Sequence, residues 1–173
     1  MPTLAAVLQL LVAVAFVSIP LVRHRYGPAA KAAAEAELAR QDVPATVLEE
    51  NGLKFDASGH ETAAPVAIAA VMVAAASLNL AGHDWGRPLT WVFSSLVLLG
   101  NAVILYSQLT AAKSVRAAFV RKGDPALLRI DVPALLGAAE GAFPRWVMPN
   151  LQNIRHTIVF AGSAVALLAV TLG

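Results

Sequence analysis

"LTWVFSSLVLLGNAVILYSQLT", residues 89–110, runs for twenty-two residues without a charge. A helix rises about 1.5 Å per residue, so this is the length needed to cross a hydrocarbon core of about 30 Å. Three other stretches match it in length and composition: Thr3 to Val22, Ala63 to Ala81 and Ile154 to Leu172. The reading is an all-α integral membrane protein, a four-transmembrane-helix bundle forming a single membrane domain over residues 1–173. Composition agrees. Hydrophobic residues make up 58% of the chain and charged residues 14%, where a soluble domain has about a quarter charged; mean hydropathy is +0.66. There is no cysteine, which excludes disulfides, thiolate metal sites, redox dithiols and cysteine nucleophiles. The first apolar run has its charges after it, at Arg23 and Arg25, the reverse of a signal peptide's order, and reads as a retained span.

Orientation follows from the lysines and arginines. Residues 23–62 carry Arg23, Arg25, Lys31, Arg40 and Lys54, and residues 111–153, with the start of the fourth span, carry Lys113, Arg116, Arg121, Lys122, Arg129, Arg145 and Arg155. Only Arg87 falls between the second and third spans, so twelve of the thirteen basic residues sit on one side. The positive-inside bias makes that side cytoplasmic. Both termini are then extracytoplasmic, and the protein is expected in the plasma membrane with two large cytoplasmic loops.

The loops differ in charge, the first with seven acids against five bases and the second with three against seven. They are suited to dock on each other or, for the second, on anionic headgroups. "AAKAAAEAELAR" predicts a short helix that ends before Pro44. "VLEENGLKF" carries a hairpin signal: Asn51 and Gly52 fit the centre of a type I′ turn, pairing Glu49 with Lys54 and Leu48 with Phe55. In the second loop, Asp124 with Pro125 and Asp131 with Pro133 are helix starts. Val132, Leu135, Leu136, Ala139 and Phe143 then form an apolar stripe that predicts a short interfacial helix, stopped by Pro144 and anchored by Trp146.

Within the spans, small residues recur along one face of the second (Ala63, Ala67, Ala70, Ala74, Ser77, Ala81) and of the fourth (Gly162, Ala166, Ala169). Such faces are packing seams, within one bundle or between copies. The third span carries a line of polar groups, Thr90, Ser94, Asn101 and Gln108, on one face. A helix from Leu89 to Thr110 puts Asn101 near mid-membrane, where an amide needs a partner. The preferred reading of the line is interhelical glue, worth about 0.6–2 kcal/mol per contact; the other is a lining for a ligand or solute path. Gln9 and Asn79 are candidates for the same role. No acidic, basic or histidine residue falls well inside a span, which disfavours proton relays and voltage sensors.

Chemistry-bearing residues gather at the surfaces. An outer turn holds His83, Asp84, Trp85 and Arg87, in which a His and Asp pair is available for acid–base work. On the inner side Gln152, Arg155 and His156 share a face near a helix N-terminus, a natural site for an anionic headgroup together with Lys113 and Arg116. His24, His60 and His156 lack the spacing of a metal motif, and no metal is expected.

The leading expectation is a non-enzymatic accessory or scaffold subunit of a membrane assembly. Its partners would be the bilayer and either another membrane protein or further copies of itself, with no cofactor and no nucleic acid. One alternative is a binding or transport module for a neutral or lipid-like molecule, lined by Thr90, Ser94, Asn101 and Gln108. The other is a lipid-modifying enzyme at the cytoplasmic face, with Arg155 holding the headgroup and His156 as acid or base.

Overall fold

Helices account for all the regular structure among the described residues of this computed structural model, which are 1–56 and 60–172, the side chains of His60 and Glu61 excepted. The order is α1 (Pro2–Arg40), α2 (Thr46–Glu50), α3 (His60–Leu80), α4 (Gly86–Leu109), α5 (Ala111–Lys122), α6 (Pro125–Leu128), α7 (Val132–Gly141), a segment Trp146–Leu151 kinked at the extended Met148 (φ −120°, ψ 118°), and α8 (Gln152–Leu172). Four helical stretches are long and apolar enough to cross a membrane: Pro2–Arg40, Thr62–Leu80, Gly86–Leu109 and Trp146–Leu172. These contain the four spans read from the sequence to within a few residues. The main difference is α1. It does not stop near Val22 but absorbs "AAKAAAEAELAR", so the expected separate helix is the continuation of the first span. Its 39 residues measure about 58 Å at 1.5 Å each, roughly twice a hydrocarbon thickness.

The chain divides into two compact units: Met1–Leu21, Gly59–Leu105 and Pro149–Gly173 form the first, Val22–Ser58 and Tyr106–Met148 the second. In the first, Val12 and Phe16 of α1, Ala69 and Met72 of α3, Val97 of α4 and Val159 of α8 make the core. Ala5 packs separately with Ala166, Ala169 and Val170. The expected small-residue seam of α8 is thus used against α1: a Cβ on Gly162 would lie 3.3 Å from Val12 Cγ2, and it is the missing side chains that let the helices approach. The seam of α3 is not covered by the described residues. Ala63, Ala67, Ala70, Ala74 and Ser77 are exposed, and the inward residues are Ala69, Met72, Ala75, Ala76 and Asn79.

In the second unit both loops contribute to one core. Ala30, Ala34 and Leu38 of α1, with Val43, Val47 and Leu48, pack on Phe119, Leu127, Ile130, Val132, Leu135 and Ala139. The loops therefore dock, but through apolar burial. Polar links add to it: Asp131 N–H donates to Gln41 Oε1 (2.7 Å) and Lys122 Nζ to Asn51 Oδ1 (2.6 Å).

Two sequence expectations are corrected here. There is no hairpin at Asn51 and Gly52, because residues 46–50 are helical and these two end that helix. A type I′ turn needs positive φ at both central residues; Asn51 has φ −107° and only Gly52, at +66°, is left-handed. Leu53 N–H donates to Leu48 O (2.8 Å) and Gly52 N–H to Glu49 O (3.0 Å), the paired bonds of a Schellman cap. Adjacent Val47 and Leu48 are both buried, which an alternating strand with one wet face does not allow. The second correction concerns α7. Its start is as expected, with Asp131 Oδ1 accepting from Ala134 N–H (3.0 Å), and α6 starts likewise at Asp124. Its stripe, however, is taken up by protein: Val132, Leu135 and Ala139 are buried, with Leu136 and Phe143 packed beside them. Trp146 and Phe143 both meet the Tyr26 ring edge-on, at 6.1 and 6.4 Å.

This placement of α7 has a measurable consequence. Leu135 and Leu38 are each 0% exposed, so Leu135→Ala and Leu38→Ala should each destabilise by about 2–5 kcal/mol in thermal or denaturant unfolding. A loss near zero for Leu135→Ala would put the stripe back on lipid.

Candidate functional site

The polar line on α4 survives in part. Thr90, Ser94 and Asn101 are buried at 0, 1 and 5% exposure. Gln108 is exposed and lies in the second unit, beyond the part of α4 that packs in the first. The line therefore ends at Asn101.

At one end it is interhelical glue. Thr90 Oγ1 accepts from Gln9 Nε2 (2.9 Å) and Asn79 Nδ2 (2.8 Å) and donates to Gly86 O (2.7 Å); Asn79 Nδ2 also reaches Gln9 Oε1 (3.0 Å). Helices α1, α3 and α4 are tied by one closed triad. Gly86 makes room for it, because a Cβ there would fall 2.7 Å from Asn79 Oδ1.

At the other end the polar groups are not all used. Asn101 Oδ1 lies 3.0 Å from His156 Nδ1 on α8, while Asn101 Nδ2 is enclosed and has no hydrogen-bond partner. A carbonyl oxygen has no proton to give, so the imidazole must supply it and Nδ1 carries the hydrogen. Next to it, Arg155 Nε donates to Ser18 Oγ (2.7 Å) and Nη2 to Ser18 O (2.7 Å). The guanidinium expected to take a headgroup is thus engaged by α1, and Gln152 is half-buried at the start of α8. Lys113 and Arg116 are exposed on α5 in the second unit. Asn101 lies level with the fifth residue of α8, so it stands toward one end of the apolar stretch and not at its middle.

Beside Asn101 is an apolar groove of about 300 Å³ among α1, α3 and α4, walled by Phe16, Ile68, Met72, Phe93 and Val97. Among the described residues that line it, Asn101 alone has a polar side chain. Leu96 and Ile104, also in the lining, are 57% and 42% exposed, which leaves the groove open sideways. Its size and its single polar group match the general form of small-molecule sites.

Two more enclosed hydroxyls, Ser94 Oγ and Ser163 Oγ, have no partner. Helices α1 and α8 are antiparallel and α1 and α4 parallel, as the pairs Ser18–Arg155, Val12–Gly162 and Gln9–Thr90 require. With Asn101 against His156, seven residues along each helix brings Ser94 and Ser163 to one level. Removing an unsatisfied buried hydroxyl relieves its desolvation cost. Ser94→Ala and Ser163→Ala should therefore leave thermal stability unchanged or raise it by about 1 kcal/mol, and a clear loss in either would mean that the hydroxyl has a partner.

His83, Asp84, Trp85 and Arg87, in the turn between α3 and α4, are exposed. His83 Nδ1 accepts from Trp85 N–H (3.2 Å), a turn-closing role. With Asn79, His83, Asp84 and Arg87 border a second cavity of about 210 Å³. No three His, Cys, Asp or Glu side chains gather as a metal-binding group among the described residues; the His60 side chain lies outside them. Sequence reasoning missed Ser18, Ser163 and the groove residues Phe16, Met72 and Phe93, since nothing in their spacing separates them from ordinary packing residues. Comparison with family models, curated proteins and solved structures found no match.

Proposed function

We propose that this protein is a membrane-embedded binding module for a neutral, lipid-like small molecule, which enters the groove beside α4 sideways from the hydrocarbon. One observation carries the reading: Asn101, 5% exposed and part of the lining of an otherwise apolar groove of about 300 Å³, has an enclosed amide nitrogen, Nδ2, without a partner. An amide N–H left unpaired in hydrocarbon is costly, and a ligand oxygen removes that cost. The exposed rim at Leu96 and Ile104 favours entry from lipid over entry from water.

Eleven of the thirteen basic residues belong to the second unit, which favours a cytoplasmic placement for it, with both termini extracytoplasmic, in the plasma membrane. Reporter fusions at either terminus test that orientation; a cytoplasmic C-terminus would refute it. The ligand reading is tested by mild detergent extraction, native mass measurement and identification of what is carried. Wild type should hold a neutral lipid-like molecule in stoichiometric amount and Asn101→Leu should not. An empty wild type, or the same cargo in both, would end the reading.

A second reading, an accessory subunit of a larger assembly, is favoured by the α3 face. Ala63, Ala67, Ala70, Ala74 and Ser77 are exposed at the alternating four- and three-residue spacing that lets another helix approach closely. A stoichiometric partner protein in the same native mass measurement would support it.

A further inference from the structure

We infer that the molecule bound in the groove presents a hydrogen-bond acceptor, such as a ketone, ester or quinone-type oxygen, to Asn101, and that His156 fixes this polarity. The inference rests on the groove being a ligand site, as proposed above, and adds what kind of polar end the ligand has.

An asparagine amide alone does not choose between acceptors and donors. It offers both an oxygen and an N–H₂ group, and a half-turn about its last bond exchanges them. Here His156 opposes the exchange. Asn101 Oδ1 is held 3.0 Å from His156 Nδ1, an arrangement in which Nδ1 is the donor. A flipped amide would set Nδ2–H against Nδ1–H, two donors facing each other, and would recover the bond only if a neutral ring moved its proton to Nε2 in the same step. A protonated imidazole carries hydrogens on both nitrogens and holds the orientation outright. The group left over is Nδ2, the enclosed nitrogen without a partner, and the neighbouring wall of the groove is apolar. A ligand with an oxygen acceptor satisfies Nδ2. A ligand whose only polar group is an N–H would add a second unsatisfied donor, and a pure hydrocarbon would leave the first one unpaired. Sites built to hydrogen-bond a ligand group discriminate strongly against analogues that lack it, because the site's own buried group is then stranded.

His156 thus acts as a positioning residue. It need not touch the ligand; it sets which face of the Asn101 amide is presented. Near it, Arg155 is committed to Ser18 through both Nε and Nη2.

The test uses the full-length protein in nanodiscs, with empty nanodiscs as blank and three radiolabelled probes of matched size: methyl octyl ketone, undecane and hexylpyrrole. The ketone has an acceptor, undecane neither group, and hexylpyrrole a single N–H donor. Wild type should bind the ketone about tenfold more tightly than undecane, the factor that corresponds to one buried hydrogen bond, and hexylpyrrole no more tightly than undecane. His156→Phe should free the amide to flip, so that hexylpyrrole gains and the ketone's lead over it falls to within about twofold. His156→Lys, which offers N–H donors and no acceptor, should retain the wild-type preference. Equal binding of ketone and undecane by wild type, or a preference for hexylpyrrole, would overturn the inference and leave the groove as a ligand site. Failure of all three probes to bind above blank would overturn the ligand site itself and this inference with it.

Discussion

Gly100→Phe is expected to abolish ligand uptake by the groove while leaving the protein folded. Gly100 is part of the groove lining, and a Cβ built on it meets nothing within 4 Å. A benzyl group added there therefore grows into open space. Seven added carbons at a position in the lining compete with a ligand for a groove of about 300 Å³. Loss of a mid-helix glycine is also favourable for α4, since glycine is the costliest ordinary residue in a helix interior. Binding of a neutral apolar probe should fall by at least about tenfold, equivalent to about 1.4 kcal/mol, with thermal stability equal to or above wild type. Ala102→Phe, at an exposed position outside the lining, is the matched control and should bind as wild type does. If Gly100→Phe still takes up the probe at full affinity, the probe sits elsewhere and the groove is not the site.

The comparison of Gly100 with Asn101 also separates what was legible in the sequence from what was not. Thr90, Ser94 and Asn101 were placed on one buried face by spacing alone, because helical periodicity is a local property. That Asn101 meets His156 depends on the register of α4 against α8, which no pattern within either helix contains. The groove depends on Phe16, Met72 and Phe93 leaving a space, and as sequence these are three apolar residues in apolar spans. The four spans were legible because length and hydropathy fix them. The unbroken run of α1 was not, since Pro20, Gly27 and Pro28 carry local signals for an end. Asn51 and Gly52 misled for a related reason. A hairpin turn and a helix C-terminus both call for a left-handed glycine. The choice is made by the burial of Val47 and Leu48 against residues some 70 to 90 positions further along the chain.

The largest loss of stability from a single added methyl group should come at Gly27. A Cβ there would lie 2.8 Å from Asp56 Cα and 2.9 Å from Phe55 O, both backbone atoms of the segment that crosses α1 within the second unit. Backbone has no rotamer by which to step aside, so Gly27→Ala has to push residues 55–56 off the helix. That segment is held on both sides of the contact. Arg23 Nη2 donates to Lys54 O (3.0 Å), and Leu53 and Phe55 pack against the core that contains Leu38 and Leu135. Displacing it strains the bond and opens the core edge together. The expected cost is about 1–3 kcal/mol, at the upper end of the range for overpacking because the opposing atoms are main chain. Gly137→Ala provides a control of opposite sign: it too is a helical glycine of the second unit, but its Cβ would meet nothing within 4 Å, so it should stabilise by about 0.5–1 kcal/mol. Thermal unfolding of the two variants in one detergent reads both signs. If Gly27→Ala melts with wild type, the 53–56 segment does not lie across α1, and Leu53 and Phe55 lose their place in the core.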